Sequence, residues 1–240
     1  MENIISVSDL SFGYDRKRKV LENINFQIKK GESVGLVGAN GVGKSTLLRI
    51  LVGLNTGFQG DVMVNNIPLE KKNLKTIRKN VGYVFQDADS QLFMSTVFDD
   101  VAFAPRNYGM SEAEVNEKTM EALKVVHIEQ LKDKQIYKLS GGEKKLASIA
   151  TILSTEPDVI LMDEPSVALD PKNRRNLINI LNQLNQAKII ASHDLNMIMD
   201  TCDRTILLSG GKVIKDGSTK EILLDKELME ESGLELPLGY

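Results

Sequence analysis

Residues 38 to 46 read Gly38-Ala39-Asn40-Gly41-Val42-Gly43-Lys44-Ser45-Thr46. The apolar run Ser33-Val34-Gly35-Leu36-Val37 precedes them and is typical of a buried strand, and aliphatic residues at helical spacing follow them. A strand, a glycine loop and a helix opened by Lys-Ser-Thr form the context of a phosphate-binding P-loop. The glycines let successive backbone N–H groups face one anion, and the helix N-terminus adds partial positive charge. The segment predicts a nucleotide site; the alternative is a glycine-rich turn with a solvated lysine.

The candidate nucleotide ligands of this loop are Gly38, Asn40, Gly41, Gly43, Lys44, Ser45 and Thr46. We expect Lys44 to reach the β- and γ-phosphates and the Ser45 hydroxyl to be a ligand of Mg²⁺.

A second apolar run, residues 158 to 162, ends at Asp163-Glu164-Pro165. Beside a P-loop, Asp163 could hold Mg²⁺ through water, and Glu164 could be the general base that orients the attacking water. Successive strand residues point to opposite faces. The two carboxylates can therefore divide these tasks only because the chain turns at Pro165.

A second glycine turn, Leu139-Ser140-Gly141-Gly142-Glu143, opens another helix. Ser140 is either an N-cap beside flexible glycines or, with the glycine N–H groups, part of a second anion cradle. One nucleotide rarely needs two cradles from one polypeptide, so the turn hints at a partner subunit.

The two histidines have different contexts. His193 follows a predicted strand at the edge where ligands bind in α/β sheets, so it could hydrogen-bond the γ-phosphate, although a lone histidine is most often structural. His127 is expected on a helix, as a surface or packing residue.

Local patterns divide the chain into strands and helices. Strands are predicted at residues 4–7, 24–28, 61–64, 81–85, 158–162, 188–192, 205–208 and 212–214. Helices are predicted at 96–104, 111–126, 141–154 and 171–184, with a capping box at Ser111 and Glu114. Residues 14–19 form an expected hairpin loop whose basic run is a solvated turn.

Residues 30–85 and 158–209 would supply the sheet of an α/β core, with a helical subdomain at about 87–157 and a helical tail at about 218–240.

Composition narrows the class of protein. The 240 residues carry a net charge of −3, which gives no basic footprint for nucleic acid. The single cysteine, Cys202, cannot form an intramolecular disulfide. No apolar run is long enough to span a bilayer, so we expect a soluble protein whose membrane role, if it has one, depends on a partner.

Taken together, these segments resemble the ATP-binding-cassette ATPases. The P-loop, Gln86, the signature at 139–143, Asp163-Glu164-Pro165, residues 166–170 and His193 occur in that family's order across essentially the whole chain. The resemblance implies a single domain over residues 1–240: an α/β P-loop NTPase core with an N-terminal antiparallel β subdomain and the inserted helical subdomain. It also implies hydrolysis of ATP with Mg²⁺ in a head-to-tail dimer, in which one subunit's signature closes over ATP held by the other's P-loop.

The resemblance also implies roles for single residues. Tyr14 would stack on adenine, although the pattern alone equally suggests an exposed loop aromatic. Gln86 would sense Mg²⁺ and the attacking water, and His193 would be the γ-phosphate switch. Ser140, Gly141 and Gly142 would contact the partner's ATP. Asp170 would lie in the loop that links the two sites.

A narrower resemblance involves residues 84–93 and 100–105, which look like those of the energy-coupling-factor importers of cobalt, nickel and vitamins. In those transporters, this face of the helical subdomain receives a helix from the membrane subunit. The expected partners are integral membrane subunits and a second ATPase subunit, identical or related, at the cytoplasmic face of the cell membrane. Three positions depart from the usual pattern: Ala88 replaces proline, Glu143 replaces glutamine and Leu146 replaces arginine.

Other functions fit less well. The runner-up is the ATPase of another importer or exporter in the same family, for instance for amino acids or lipids. A DNA-repair ATPase would need a long coiled-coil insertion, and translation-associated members usually carry two cassettes in one chain. A P-loop kinase is a weaker alternative, because Glu164 beside Asp163 and the signature favour water as the acceptor.

Overall fold

The computed structural model describes residues 2–15 and 18–239. Arg16 and Lys17, half of the basic run in the expected hairpin loop, lie outside these residues, as does the last residue of the tail. The strands are β1 (Asn3–Phe12), β2 (Leu21–Lys29), β3 (Ser33–Val37), β4 (Gln59–Val64), β5 (Ile67–Pro68), β6 (Val81–Val84), β7 (Val159–Asp163), β8 (Ala187–Ala191), β9 (Arg204–Ser209) and β10 (Lys212–Ser218). The α-helices are α1 (Lys44–Leu51), α2 (Leu74–Asn80), α3 (Val97–Asn107), α4 (Glu112–Val125), α5 (Gly141–Leu153), α6 (Pro171–Gln183), α7 (Leu195–Thr201), α8 (Thr219–Leu223) and α9 (Lys226–Glu231).

The larger sheet has the strand order β10-β9-β3-β8-β7-β6 and is parallel except for the β9–β10 hairpin. Strands β7 and β8 are buried along their whole length because both faces of the sheet are covered. In β7, Val159 and Leu161 belong to one core, and Ile160 and Met162 to the core on the opposite face. In the strand order, β3, β8 and β7 are neighbours, and these are the strands that precede Lys44, His193 and Glu164.

The smaller sheet is antiparallel, with the order β2-β1-β4-β5. The prediction that residues 61–64 belong to the α/β sheet was wrong, because β4 pairs with β1, bringing Val62 opposite Val7 and Val64 opposite Ile5. Val62 and Val64, which point to the same face, are the buried residues of β4, and a strand of this kind suits an antiparallel sheet with one solvated face. Strand β10 also extends the larger sheet beyond the expected limit at residue 209.

Helices α3, α4 and α5 occupy the chain between β6 and β7, where helical patterns were predicted. The capping box of Ser111 and Glu114 is confirmed at the start of α4. Helix α3 continues past its predicted end and includes Pro105, which has no N–H group for the carbonyl of Val101. The Ser154 hydroxyl donates to that carbonyl at 2.9 Å instead, so a residue of α5's C-cap supplies the missing hydrogen bond.

The prediction that His127 lies on a helix was wrong. This residue follows α4 with a left-handed φ of 59°, and it is exposed. The next amide, of Ile128, donates to the carbonyl of Leu123 at 3.0 Å, which is the bond that ends a helix in a Schellman turn. The side chain of Ile128, which follows this turn, is buried in the core.

Within residues 2–15 and 18–239, none of the helices combines the length and the apolar character needed to cross a bilayer.

Candidate functional site

The P-loop connects β3 to α1, and two of its glycines are required by close packing. Gly43 is the N-cap of α1 with φ of 113°, and a Cβ atom there would lie 2.7 Å from the Leu21 side chain. A Cβ atom on Gly38 would clash with the carbonyl of Leu208. The loop can therefore curl around an anion only with glycine at these positions.

Lys44 is almost fully buried beneath this loop. Its Nζ donates to the carbonyl oxygens of Gly38 at 2.6 Å and Ala39 at 3.3 Å. Burial lowers the pKa of Lys44, and the carboxylates of Glu164 and Asp163 partly offset that effect. The structure thus places a buried cation against the loop that was predicted to hold phosphate.

Asp163, the last residue of β7, joins two hydroxyl groups. Ser45 Oγ donates to Oδ1 at 2.8 Å, and the Tyr83 hydroxyl donates to Oδ2 at 3.0 Å. Burial, followed by the negative charge of Asp163, raises the pKa of Tyr83, which keeps its proton available for this bond. Tyr83 was not predicted from the sequence. The only signal was a tyrosine hydroxyl within an otherwise apolar strand.

The adjacent oxygens of Ser45 and Asp163 are ligands of the type that Mg²⁺ prefers. In the part of the chain that the structure describes, no three His, Cys, Asp or Glu side chains are grouped to hold a metal. A cation held by these two oxygens would take its remaining ligands from phosphate and water, as Mg²⁺ commonly does.

Glu164 leaves the strand in a left-handed conformation, with φ of 47°. Its buried Oε2 accepts hydrogen bonds from the Ser192 hydroxyl and the His193 amide, both at 3.1 Å. Nδ1 of His193 lies 2.8 Å from the same oxygen. The change of backbone conformation directs Glu164 toward His193, whereas Asp163 faces Ser45.

A cleft of about 1670 Å³ brings most of the predicted residues together. Its predicted lining residues are Tyr14, Asn40, Gly41, Gly43, Lys44, Ser45, Thr46, Gln86, Glu164 and His193. The Tyr14 hydroxyl lies 3.1 Å from Oγ1 of Thr46 and accepts a hydrogen bond from Asn55 at 3.2 Å. The mostly exposed Tyr14 ring is thereby tied to the start of α1 at the cleft's edge.

The signature turn is placed differently. Ser140 and Gly142 do not line this cleft, whereas Gly141 borders a smaller hollow of about 450 Å³ together with Gln86 and Asp163. Ser140 caps α5: its Oγ accepts from the Glu143 amide at 3.3 Å, and its own amide donates to Oε2 of Glu143 at 2.7 Å. The capping interpretation is confirmed, and an additional role in binding phosphate stays a prediction.

Lys145 connects α5 to the segment around Gln86. Its buried Nζ donates to the carbonyl oxygens of Phe85 at 3.0 Å and Gln86 at 2.7 Å. Burial lowers the pKa of Lys145 to about 8, against the partial effect of Asp87 and Asp163. Sequence reasoning missed this lysine, because it stands in a pair of lysines that resembles a solvated helix face.

Comparison with known proteins agrees with this arrangement. The family model described as "ABC transporter" matches residues 21–167. A provisionally assigned ABC transporter ATP-binding protein of Geobacter sulfurreducens is 47% identical, over 99% of this chain and 95% of its own. The energy-coupling factor transporter ATP-binding protein EcfA of Methanocaldococcus jannaschii is 41% identical, over 98% of this chain and 86% of its own. The solved structure of cbiO1 from Clostridium perfringens, part of the ABC transporter complex cbiONQ, superposes with a TM-score of 0.86 at 36% identity, over 96% of this chain and 94% of that one. The expected fold class is confirmed.

Proposed function

This chain belongs to the ATP-binding-cassette ATPases, and we propose that it powers a membrane importer of the energy-coupling-factor type. The substrate would be cobalt, nickel or a vitamin. ATP would close a dimer of this chain, or of this chain and a related one, and hydrolysis would reopen it. The chain would act as a single domain, residues 1–240, at the cytoplasmic face of the membrane.

An exposed aromatic pair is the observation that carries the importer proposal. Phe93 is 64% exposed and Phe103 is 40% exposed, and their rings meet edge to face with centroids 4.8 Å apart. The buried Asp100, on α3, holds the preceding segment in place, because it accepts hydrogen bonds from the amides of Phe93 and Met94. A rigid apolar pair on the surface is typical of a protein interface. It lies in the segments that resemble the importer ATPases, one of which, cbiO1, belongs to a transporter complex.

The geometry of the cleft supports the following nucleotide contacts. The P-loop amides and Lys44 would bind the phosphates, and Tyr14 would stack on adenine. Ser45 and Gln86 would bind Mg²⁺ directly and Asp163 through water, and the ion would neutralise phosphate charge.

Glu164 would take a proton from the attacking water. Its Oε2 accepts hydrogen bonds from groups that follow the neighbouring strand β8, and these fix the position of the carboxylate. His193 would contact the γ-phosphate while Glu164 holds its imidazole at 2.8 Å.

The signature turn at residues 139–143 would bind phosphate of the ATP that is held by the partner subunit. Ser140 and Gly142 lie outside the chain's own cleft, so they would reach ATP that is bound to the other subunit. Gly142 packs closely against Asn173, where a Cβ atom would lie 2.5 Å from Nδ2. Asn173 in turn donates to Asp170, the N-cap of α6. This contact would fix the signature turn relative to the loop that contains Asp170.

The test is to purify the tagged chain from detergent-solubilised membranes of its own cells and to identify co-purifying proteins by mass spectrometry. We expect an integral membrane subunit with the parent and its loss with Phe93→Ser/Phe103→Ser. Uptake of labelled cobalt, nickel and vitamins by cells that lack the chain would then identify the substrate. Recovery of an integral subunit in equal amounts with the double variant would contradict the proposed role of Phe93 and Phe103 in binding it. Recovery of no membrane protein, or loss of uptake of an amino acid or lipid instead, would contradict the importer proposal.

A further inference from the structure

Glu143 places a negative charge at the N-terminus of α5. Its Oε2 accepts a hydrogen bond from the Ser140 amide at 2.7 Å, so the carboxylate already uses one donor of the signature turn. This hydrogen bond, together with Lys134, outweighs burial and lowers the pKa of Glu143, which is therefore ionised at neutral pH. A helix N-terminus favours one anion, but a fixed carboxylate repels a second one that approaches.

Lys134 lies against this carboxylate. Its Nζ is 3.0 Å from Oε1 and 3.1 Å from Oε2, so it contacts both oxygens. Among the residues that the structure describes, Lys134 is the one cation within salt-bridge distance of Glu143. Both side chains are about one-third exposed, at 33% and 29%, so their attraction is only partly screened by solvent.

The backbone holds Lys134 in place independently of this ion pair. Its carbonyl accepts a hydrogen bond from the Val97 amide at 3.1 Å, at the start of α3, and its amide donates to Leu131 at 2.8 Å. A neighbouring bridge joins Thr96 to Gln135. The backbone from which the Lys134 side chain reaches Glu143 is therefore fixed by hydrogen bonds that do not involve the ion pair.

We propose that Lys134 is a positioning residue for the signature turn: it neutralises Glu143, so that Ser140 and its glycines can receive the triphosphate of the partner subunit. The inference rests on the proposed function, since it concerns the approach of a second subunit's ATP. It also explains how this chain uses glutamate at a position where glutamine, which carries no charge, is commoner in the family.

A purely structural ion pair would behave differently. If Lys134 only held the loop to α5, a second substitution at Glu143 would either increase the effect of losing Lys134 or leave that effect unchanged. If it acts by neutralisation, Lys134→Met leaves an uncompensated carboxylate, and Glu143→Gln removes that charge while it keeps an oxygen for the Ser140 amide. Recovery in the double variant is therefore specific to neutralisation.

The experiment measures ATP-dependent association by analytical ultracentrifugation, in a Glu164→Gln background that prevents turnover. Lys134→Met should raise the ATP concentration for half-maximal association by roughly fivefold, and Lys134→Arg should not. Lys134→Met/Glu143→Gln should return to within about twofold of the parent. The matched control is Lys118→Met. Lys118 lies on α4 and forms an ion pair with Glu156 at 2.7 Å, and its loss should leave association unchanged.

Binding of a fluorescent ATP analogue to the separate subunits, with thermal unfolding of each variant, checks that only association changes. The inference is overturned if Lys134→Met associates like the parent, if the double variant stays as weak as Lys134→Met, or if Lys118→Met has an equal effect. In each of these cases the proposed function stands. If the parent never associates with ATP, the proposed dimer mechanism fails and the inference fails with it.

Discussion

The hydroxyl of Tyr83 donates a hydrogen bond to Oδ2 of Asp163 at 3.0 Å. The two residues belong to neighbouring parallel strands, β6 and β7, so the pairing of the sheet sets this contact. Because Tyr83 occupies Oδ2, the other oxygen, Oδ1, is directed to Ser45 at 2.8 Å. Tyr83 thereby orients the carboxylate that we propose for Mg²⁺.

Tyr83→Phe tests this orientation. The change removes one buried hydrogen bond to a charged group, so we expect the free energy of unfolding to fall by about 1–3 kcal/mol. We also expect the Mg²⁺ concentration for half-maximal hydrolysis to rise by roughly three- to tenfold, because Asp163 is less well oriented. Denaturant unfolding and a Mg²⁺ titration measure the two effects. The control is Tyr108→Phe, which removes a hydroxyl that donates to the carbonyl of Arg78 and not to Asp163. An equal effect of this control on the Mg²⁺ titration would contradict the orientation argument.

Glu164→Gln should bind ATP and lose hydrolysis. The amide keeps an oxygen for the Ser192 hydroxyl and the His193 amide but cannot accept a proton from water, so turnover should fall roughly 10²–10⁴-fold. Phosphate release measures turnover, and gel filtration with ATP should reveal a trapped dimer. Hydrolysis at the parent rate would show that another group is the base.

Lys44→Ala should weaken nucleotide binding itself. The change removes a buried cation whose Nζ lies against the carbonyls of Gly38 and Ala39, and a charge-assisted contact is worth roughly a 10- to 100-fold change in Kd. The chain contains no tryptophan, so a fluorescent ATP analogue is the suitable probe. Unchanged affinity would remove Lys44 from the phosphate site.

The pKa of Lys145 predicts a dependence of stability on pH. Its pKa is about 8 in the folded chain and 10.5 in the ordinary case, so between these values the unfolded chain binds more protons. Stability should therefore rise with pH in this window relative to Lys145→Met, by roughly 1–3 kcal/mol in total. Denaturant unfolding of both proteins from pH 7 to 10.5 measures the difference. A difference that stays constant with pH would show that Lys145 has an ordinary pKa.

Ser154 and Pro105 predict a non-additive pair of substitutions. Ser154→Ala removes the hydroxyl that serves the Val101 carbonyl, and we expect a loss of about 1–3 kcal/mol in the free energy of unfolding. In a Pro105→Ala background the new amide can bond that carbonyl, so Ser154→Ala should cost less there. A double-mutant cycle measures the coupling, and strict additivity would contradict the compensation.

Features that depend on neighbouring residues could be predicted from the sequence. The P-loop with its flanking strand and helix, and the capping box of Ser111 and Glu114, are each encoded within a few residues. The fold class followed from the order of these signals. Residues close together in the sequence indicate these elements, so a short stretch was enough to predict each of them.

Features that depend on distant partners could not be predicted. The short apolar run of β4 does not indicate whether its partner is β1 or a strand of the larger sheet, so the sheet predicted for it was wrong. Nothing near Tyr83 indicates that its hydroxyl meets a carboxylate eighty residues later. Lys145 looks solvated until the carbonyls of Phe85 and Gln86 are brought to it.

The order of the larger sheet has a consequence for how such proteins diversify. Lys44, His193 and Glu164 follow β3, β8 and β7, three strands whose mutual spacing is fixed by one continuous ladder of backbone hydrogen bonds. Phe93 and Phe103 instead belong to the stretch between β6 and β7, which starts from the end strand of that ladder. Side chains there can change without altering the ladder, so the surface proposed to contact a membrane subunit can vary while the spacing of Lys44, His193 and Glu164 is kept.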